Sequence, residues 1–176
     1  MPGDVVYRSP GTDGLVAARA FVERVVSDEY EAAVSAVVRA DAAAHAAAFD
    51  PENDVLLTAE HDGRLVGILL VTRDAADPDV AHFDWLMVDA SERNGGVGRE
   101  LLFRGIEACR ERRRLVLRAR SFAASPAGPH LFWLYGFRVV DLVPVTVGDG
   151  TRESILFEKR LSAPAASAPR ASPATE

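Results

Sequence analysis

Between residues 82 and 109 a β-prone apolar run breaks off, passes through a cluster of glycines and resumes with a different period. His82 to Val88 reads as a strand, while Val97, Leu101, Leu102, Ile106 and Cys109 recur at the spacing of an amphipathic helix. The segment joining them, Val88-Asp89-Ala90-Ser91-Glu92-Arg93-Asn94-Gly95-Gly96-Val97-Gly98-Arg99, carries a strand straight into a helix. Free N–H groups at a helix start, reinforced by the helix dipole, suit a pyrophosphate. Glycines let the backbone approach such a ligand and adopt positive φ, and Arg93 and Arg99 can add charge-assisted contacts. No Gly-Lys-Ser/Thr ending is present, so this is not a P-loop, and glycines at 95, 96 and 98 do not make the dinucleotide fingerprint G-x-G-x-x-G. An ordinary tight turn also uses glycine. The spacing Arg93-x-x-Gly96-x-Gly98, after a strand and before an amphipathic helix, argues against that simpler reading.

Around this unit the chain supplies a mixed set of elements. A short strand is expected at Val5 to Arg8, followed by a helix capped by Thr12-Asp13 with Leu15, Phe21, Val22, Val25 and Val26 on one side. A second helix starts near Glu29 and ends in the Ala-rich stretch 40–48. Val55 to Glu60 and Leu65 to Thr72 form a hairpin across His61-Asp62-Gly63-Arg64, the Asp-Gly pair being a strong turn signal. Beyond the glycine turn, Leu115 to Arg120 is a strand, Pro129 to Tyr135 a short helix stopped by Gly136, and Phe137 to Val147 and Ser154 to Lys159 two final strands. The order β-α-α-β-β-β-α-β-α-β-β is that of an α+β or mixed α/β fold, not a Rossmann alternation. Residues 1–161 are expected to form one domain. Ser162 to Glu176, with Ala, Pro or Ser at twelve positions, has little to bury and is expected to be a disordered tail.

Composition limits the functions open to such a chain. Twenty basic against twenty-six acidic residues leave a net charge of −6, which argues against a general nucleic-acid binder. No apolar stretch approaches the roughly 20 residues that span a bilayer, and the acidic start Met1-Pro2-Gly3-Asp4 is unlike a secretory signal. The expectation is a cytoplasmic protein without a membrane. Cys109, the single cysteine, reads as core, and His45, His61 and His130 are too scattered to argue a metal site.

The segment resembles the signature Q/R-x-x-G-x-G/A of the GNAT superfamily of acyl-CoA-dependent N-acyltransferases, with Leu86-Met87-Val88-Asp89 as its hydrophobic strand end. Leu131-Phe132-Trp133-Leu134-Tyr135-Gly136-Phe137 is similar to the family's later motif, an aromatic short helix ending in Gly-Phe. The resemblance covers Val5 to Leu161 and implies a central twisted mixed β-sheet of about seven strands flanked by about four helices. It implies acetyl-CoA as co-substrate, with the backbone of Leu86, Met87 and Val88 pairing with the pantetheine arm like an added strand. The amides of Gly95, Gly96, Val97 and Gly98 would hold the pyrophosphate beside Arg93, Asn94 and Arg99, and Ser125 would stand where the family often has a cofactor-contacting Asn. The acceptor would be a primary amine on a small molecule or peptide, and the family allows a homodimer.

Acyl transfer to an amine requires a base for the ammonium, a donor for the oxyanion and a proton for the leaving thiolate. His82 and Asp84, two residues apart on one strand and so on the same side, are candidate bases. A solvated strand start and an ordinary alternation residue explain them equally. The family's acid tyrosine, four residues before the glycine of Gly-Phe, corresponds here to Phe132, which has no hydroxyl. Tyr135, one turn on, is the candidate substitute. This departure leaves a non-catalytic acyl-CoA-binding module as the rival reading.

Overall fold

The computed structural model describes residues 4–122 and 128–162. Seven strands form one sheet in the order β1-β2-β3-β4-β5-β7-β6. They are β1 (Val6–Arg8), β2 (Val55–His61), β3 (Arg64–Arg73), β4 (Val80–Val88), β5 (Val116–Phe122), β6 (Arg138–Val147) and β7 (Gly150–Arg160). Every neighbouring pair is antiparallel except β4 and β5, which run parallel because a helix intervenes between them. The helices are α1 (Leu15–Glu29), α2 (Ala32–Ala48), α3 (Val97–Glu111) and α4 (Gly128–Leu134). This is the mixed sheet with four helices expected from the sequence.

The sheet is covered on both faces, which is why its central strands read as continuous apolar runs rather than alternating ones. Val55, Leu57 and Ala59 of β2 and Leu69 and Val71 of β3 meet Val97, Leu101, Leu102, Ile106 and Cys109 of α3. Their neighbours Leu56, Ile68 and Leu70 point the other way, onto Phe21, Val22, Val25 and Val26 of α1 and Ala42 of α2. Helix α3 lies unusually close to the sheet at Gly105, where an added Cβ would stand 2.4 Å from Leu69 Cδ2. That contact leaves little freedom in the depth at which the helix, and with it the glycine turn, is seated.

Two local expectations change. Thr12 and Asp13 do not cap α1: they lie in a short 3-10 turn, Gly11–Gly14, that runs directly into the helix, and Gly14 is its N-cap without a side-chain bond. The strand carrying His82 and Asp84 is also not regular, as described below. Ser125 and nearly all of the Ala/Pro/Ser-rich stretch from 162 lie outside the described residues. Among the described residues no helix is long and apolar enough to cross a membrane.

Candidate active site

The ladder between β4 and β5 is short. It runs from Val80 opposite Val116 to Phe83 opposite Ala119, and the main chains of Leu115 and Val116 donate to Asp79 O to close its lower end. Above Phe83 the strands part company. Strand β4 continues to Val88 paired with β3, while Arg120, Ser121 and Phe122 of β5 continue paired with β7. From Asp84 to Val88 the β5-facing edge of β4 therefore has no strand partner among the described residues, and an extended ligand arm can occupy such an edge as an added strand.

The apex of this cleft coincides with a β-bulge. Trp85 lies opposite Leu70 and Phe83 opposite Val71, so Asp84 is the extra residue on β4. A bulge re-aims the side chains on either side of it. Ala81 and Phe83 pack in the core under α3, whereas Trp85 packs in the core under α1 and α2. Asp84 and Trp85, although consecutive, both meet His45 of α2. The His45 Nε2 lies 3.5 Å from Asp84 Oδ1, and the His45 and Trp85 rings form an edge contact with centroids 6.2 Å apart. Thr72 donates its hydroxyl to Asp84 Oδ2 at 2.6 Å. Burial raises the Asp84 carboxyl above the ordinary carboxylate range, with His45, Thr72 and His82 pulling against it. His82, inside the paired part of β4, bonds through Nε2 to Asp74 Oδ2 at 2.8 Å. That bond is the first cause of the Asp74 carboxyl being lowered to about 2.

The other end of the cleft is built by Asp89. Its carboxylate accepts from the backbone N–H and hydroxyl of Ser91 at 3.1 and 2.7 Å, and from Arg24 and Arg64 at 2.6 and 3.2 Å. These bonds hold its carboxyl well below the usual range, with Arg24 the largest cause. They also lock the short 3-10 turn Ala90–Glu92 that leads into the glycines. Asn94 and Gly96 follow with φ of 64° and 91°, and Gly96 is the N-cap of α3 without a side-chain bond. The Glu100 N–H closes the first helical turn onto Gly96 O at 3.0 Å. The amides of Val97, Gly98 and Arg99 precede it and have no carbonyl within the helix to reach. Among the described residues a Cβ on Gly96 would meet nothing within 4 Å, so they leave the space over the turn open. A Cβ on Gly98 would lie 3.5 Å from Leu131 Cδ2, which puts α4 beside the same helix start.

The carboxylates near the turn are partnered in place. Asp89 is held by Arg24 and Arg64, Glu92 lies 3.0 Å from His61 Nδ1, and Glu100 accepts from Arg104 at 2.7 Å. Exposed Arg99 makes no ion pair among the described residues. Arg93 is used differently: it donates to Val88 O from Nε and Nη2 at 3.3 and 3.2 Å and to the Glu29 carboxylate, tying the end of β4 to the end of α1. The Val97 side chain is core, so only its amide belongs to the turn. Phe132 is buried against Phe137 and Phe157, with centroids 5.3 and 5.4 Å away, and Tyr135 packs half-buried at the margin of the same core. Burial pushes the Cys109 thiol up to about 12, removing its thiolate at neutral pH.

Residues 20–127, more than half of the chain, match the acetyltransferase (GNAT) family. The chain belongs to this family. No curated protein matches it. Solved structures with the same fold include an N-acetyltransferase from Staphylococcus aureus Mu50, 18% identical, TM-score 0.73, covering 91% of this chain and 100% of the other. The ribosomal-protein-S18-alanine N-acetyltransferase of Escherichia coli is 18% identical with TM-score 0.71 over 92% and 96% of the two chains. The yncA protein of Salmonella typhimurium, whose structure contains its cofactor acetyl-CoA, is 19% identical with TM-score 0.70 over 94% and 98%. Two features of the candidate site were not anticipated from the sequence. Asp89 carries a weak local signal, since an Asp two residues before a Ser is a common turn device. His45 carries none, because it comes from an Ala-rich helix far from Asp84 in the chain.

Proposed function

We propose that the protein is an N-acyltransferase that moves an acetyl group from acetyl-CoA to a primary amine by direct attack within a ternary complex. The observation that carries this reading is the continuity of the cleft. An unpartnered strand edge from Asp84 to Val88 leads directly to the open glycine turn at the start of α3. An extended amide-bearing arm satisfies the edge, and a pyrophosphate satisfies the free amides of Gly95 to Gly98 and the charge of Arg99. With the phosphates there, the thioester lies toward the apex, beside Asp84.

The chemistry then needs no covalent enzyme intermediate. A neutral amine attacks the thioester carbonyl, the tetrahedral oxyanion collapses, and the thiolate departs and takes up a proton. Asp84, at the apex, is better positioned to meet the acceptor ammonium than His82, which sits below the point where the strands part and is engaged by Asp74. Tyr135 is the group we assign to the thiolate. The catalytic domain would span residues 1–161 with the tail from 162 outside it, acting in the cytoplasm. A peptide α-amine belongs among the acceptors to be tried, because one similar structure is named for acetylating a ribosomal-protein alanine.

Release of CoA thiol from acetyl-CoA, followed against a panel of small amines and short peptides, tests the reading. Thiol release that requires an amine, with the acetylated amine found by mass spectrometry, is the expected result. Binding of acetyl-CoA without turnover on any amine would favour the non-catalytic acyl-CoA-binding module.

A further inference from the structure

Histidine 45 is the unexpected member of the apex, and its bonds define what it can do. Its Nδ1 lies 2.9 Å from the Asp41 main-chain oxygen, one helical turn earlier. A carbonyl only accepts, so in the neutral ring the hydrogen is on Nδ1 and the lone pair on Nε2, which lies 3.5 Å from Asp84 Oδ1. The other Asp84 oxygen is held by Thr72 from β3. The titratable groups around the pair are Asp41 on α2, 3.5 Å from the imidazole, and His82 on β4. The pair is not sealed: the His45 and Asp84 side chains keep 25% and 16% of their exposure. On the third side stands Trp85, whose buried indole N–H has no hydrogen-bond partner among the described residues.

Resting on the acyltransfer reading, we infer that His45 and Asp84 act as a dyad that binds the acceptor ammonium and removes its proton, with the imidazole Nε2 as the proton acceptor. The step balances as follows. R-NH3⁺ gives one proton to Nε2, leaving R-NH2 and an imidazolium facing the Asp84 carboxylate. The amine nitrogen bonds to the acetyl carbon as the carbon–sulfur bond breaks. Tyr135 gives its hydroxyl proton to the departing thiolate and is restored by the second nitrogen proton, and the imidazolium returns its proton to solvent. Alternation from Ala81 and Phe83 puts Asp84 on the α2 side, and the bulge brings Trp85 to that same side at the point where β5 leaves the strand.

The test uses the full chain and the amine found to be the best acceptor. His45→Ala is expected to lower kcat/KM for the amine by roughly a hundredfold, to leave acetyl-CoA affinity unchanged by calorimetry, and to recover turnover when imidazole is added. Asp84→Asn is expected to raise the amine KM and lower kcat, without imidazole rescue. Thermal melts establish that both variants are folded. If His45→Ala, or the milder His45→Gln, turns over like the wild type, or imidazole restores nothing, the dyad is overturned and the acyltransfer reading survives. Failure of the wild type to acetylate any amine while binding acetyl-CoA overturns both.

Discussion

Replacing Gly96 by alanine separates a backbone requirement from a ligand requirement. Gly96 has φ of 91°, in the left-handed region, and no atom of the described residues within 4 Å of where its Cβ would be. The substitution therefore introduces no clash and costs only the left-handed penalty of an L-residue, about 1–2 kcal/mol. For a chain of this length that lowers Tm by about 2–8 °C. The methyl group would stand in the open space over the turn. If phosphate oxygens occupy that space, one charge-assisted amide bond is lost at about 1.5–3 kcal/mol, a loss of affinity of roughly ten- to a hundredfold. Gly11 is the matched control: its φ is 60°, its Cβ position is equally empty, and it lies before α1. Differential scanning and isothermal calorimetry on both variants are expected to give similar falls in Tm, with acetyl-CoA affinity lost only in Gly96→Ala. Equal affinities in the two variants would refute the phosphate assignment of the turn.

Three further outcomes follow from the same contacts. Asp89→Asn weakens the lock on the turn and, with Arg24 and Arg64 themselves about half-exposed, should cost about 1–2 kcal/mol at neutral pH in denaturant melts. The folded Asp89 carboxyl lies below its unfolded value. Its contribution is thus complete above pH about 4 and lost as pH falls through the folded value; a wild-type advantage that grows on acidification would contradict the assignment. Tyr135→Phe is expected to lower kcat at least about tenfold with unchanged acetyl-CoA affinity, and unchanged turnover removes Tyr135 from the mechanism. Cys109, buried and with its thiol at about 12, should resist iodoacetamide in the native protein at pH 8 and react once unfolded; rapid native labelling would contradict a core role.

What could be read from the sequence was whatever is decided locally. The Asp62-Gly63 turn is one instance: both residues take positive φ, 50° and 74°, as a two-residue hairpin demands. The periodicity of α3 was equally legible, because Leu101, Leu102, Ile106 and Cys109 all face one core. The bulge at Asp84 was not, since it exists only in the register between β3 and β4, and regular alternation would have set Asp84 and Trp85 on opposite faces. The same limit hid the parting of β4 from β5 from any reading of periodicity; there the family resemblance supplied only the expectation that the backbone of Leu86, Met87 and Val88 pairs with a pantetheine arm. Arg93 shows the converse. Its position in the motif reads as phosphate contact, but its side chain reaches the Val88 carbonyl and Glu29, partners that only the packing of α1 against β4 brings near.

The most direct test of the account is calorimetric titration of the full chain with acetyl-CoA, and separately with free CoA. An unpartnered strand edge leading to an open glycine turn predicts one site per chain, with a Kd on the order of micromolar for both ligands. Absence of heat at millimolar acetyl-CoA, from protein shown to be folded by its melt, would contradict it.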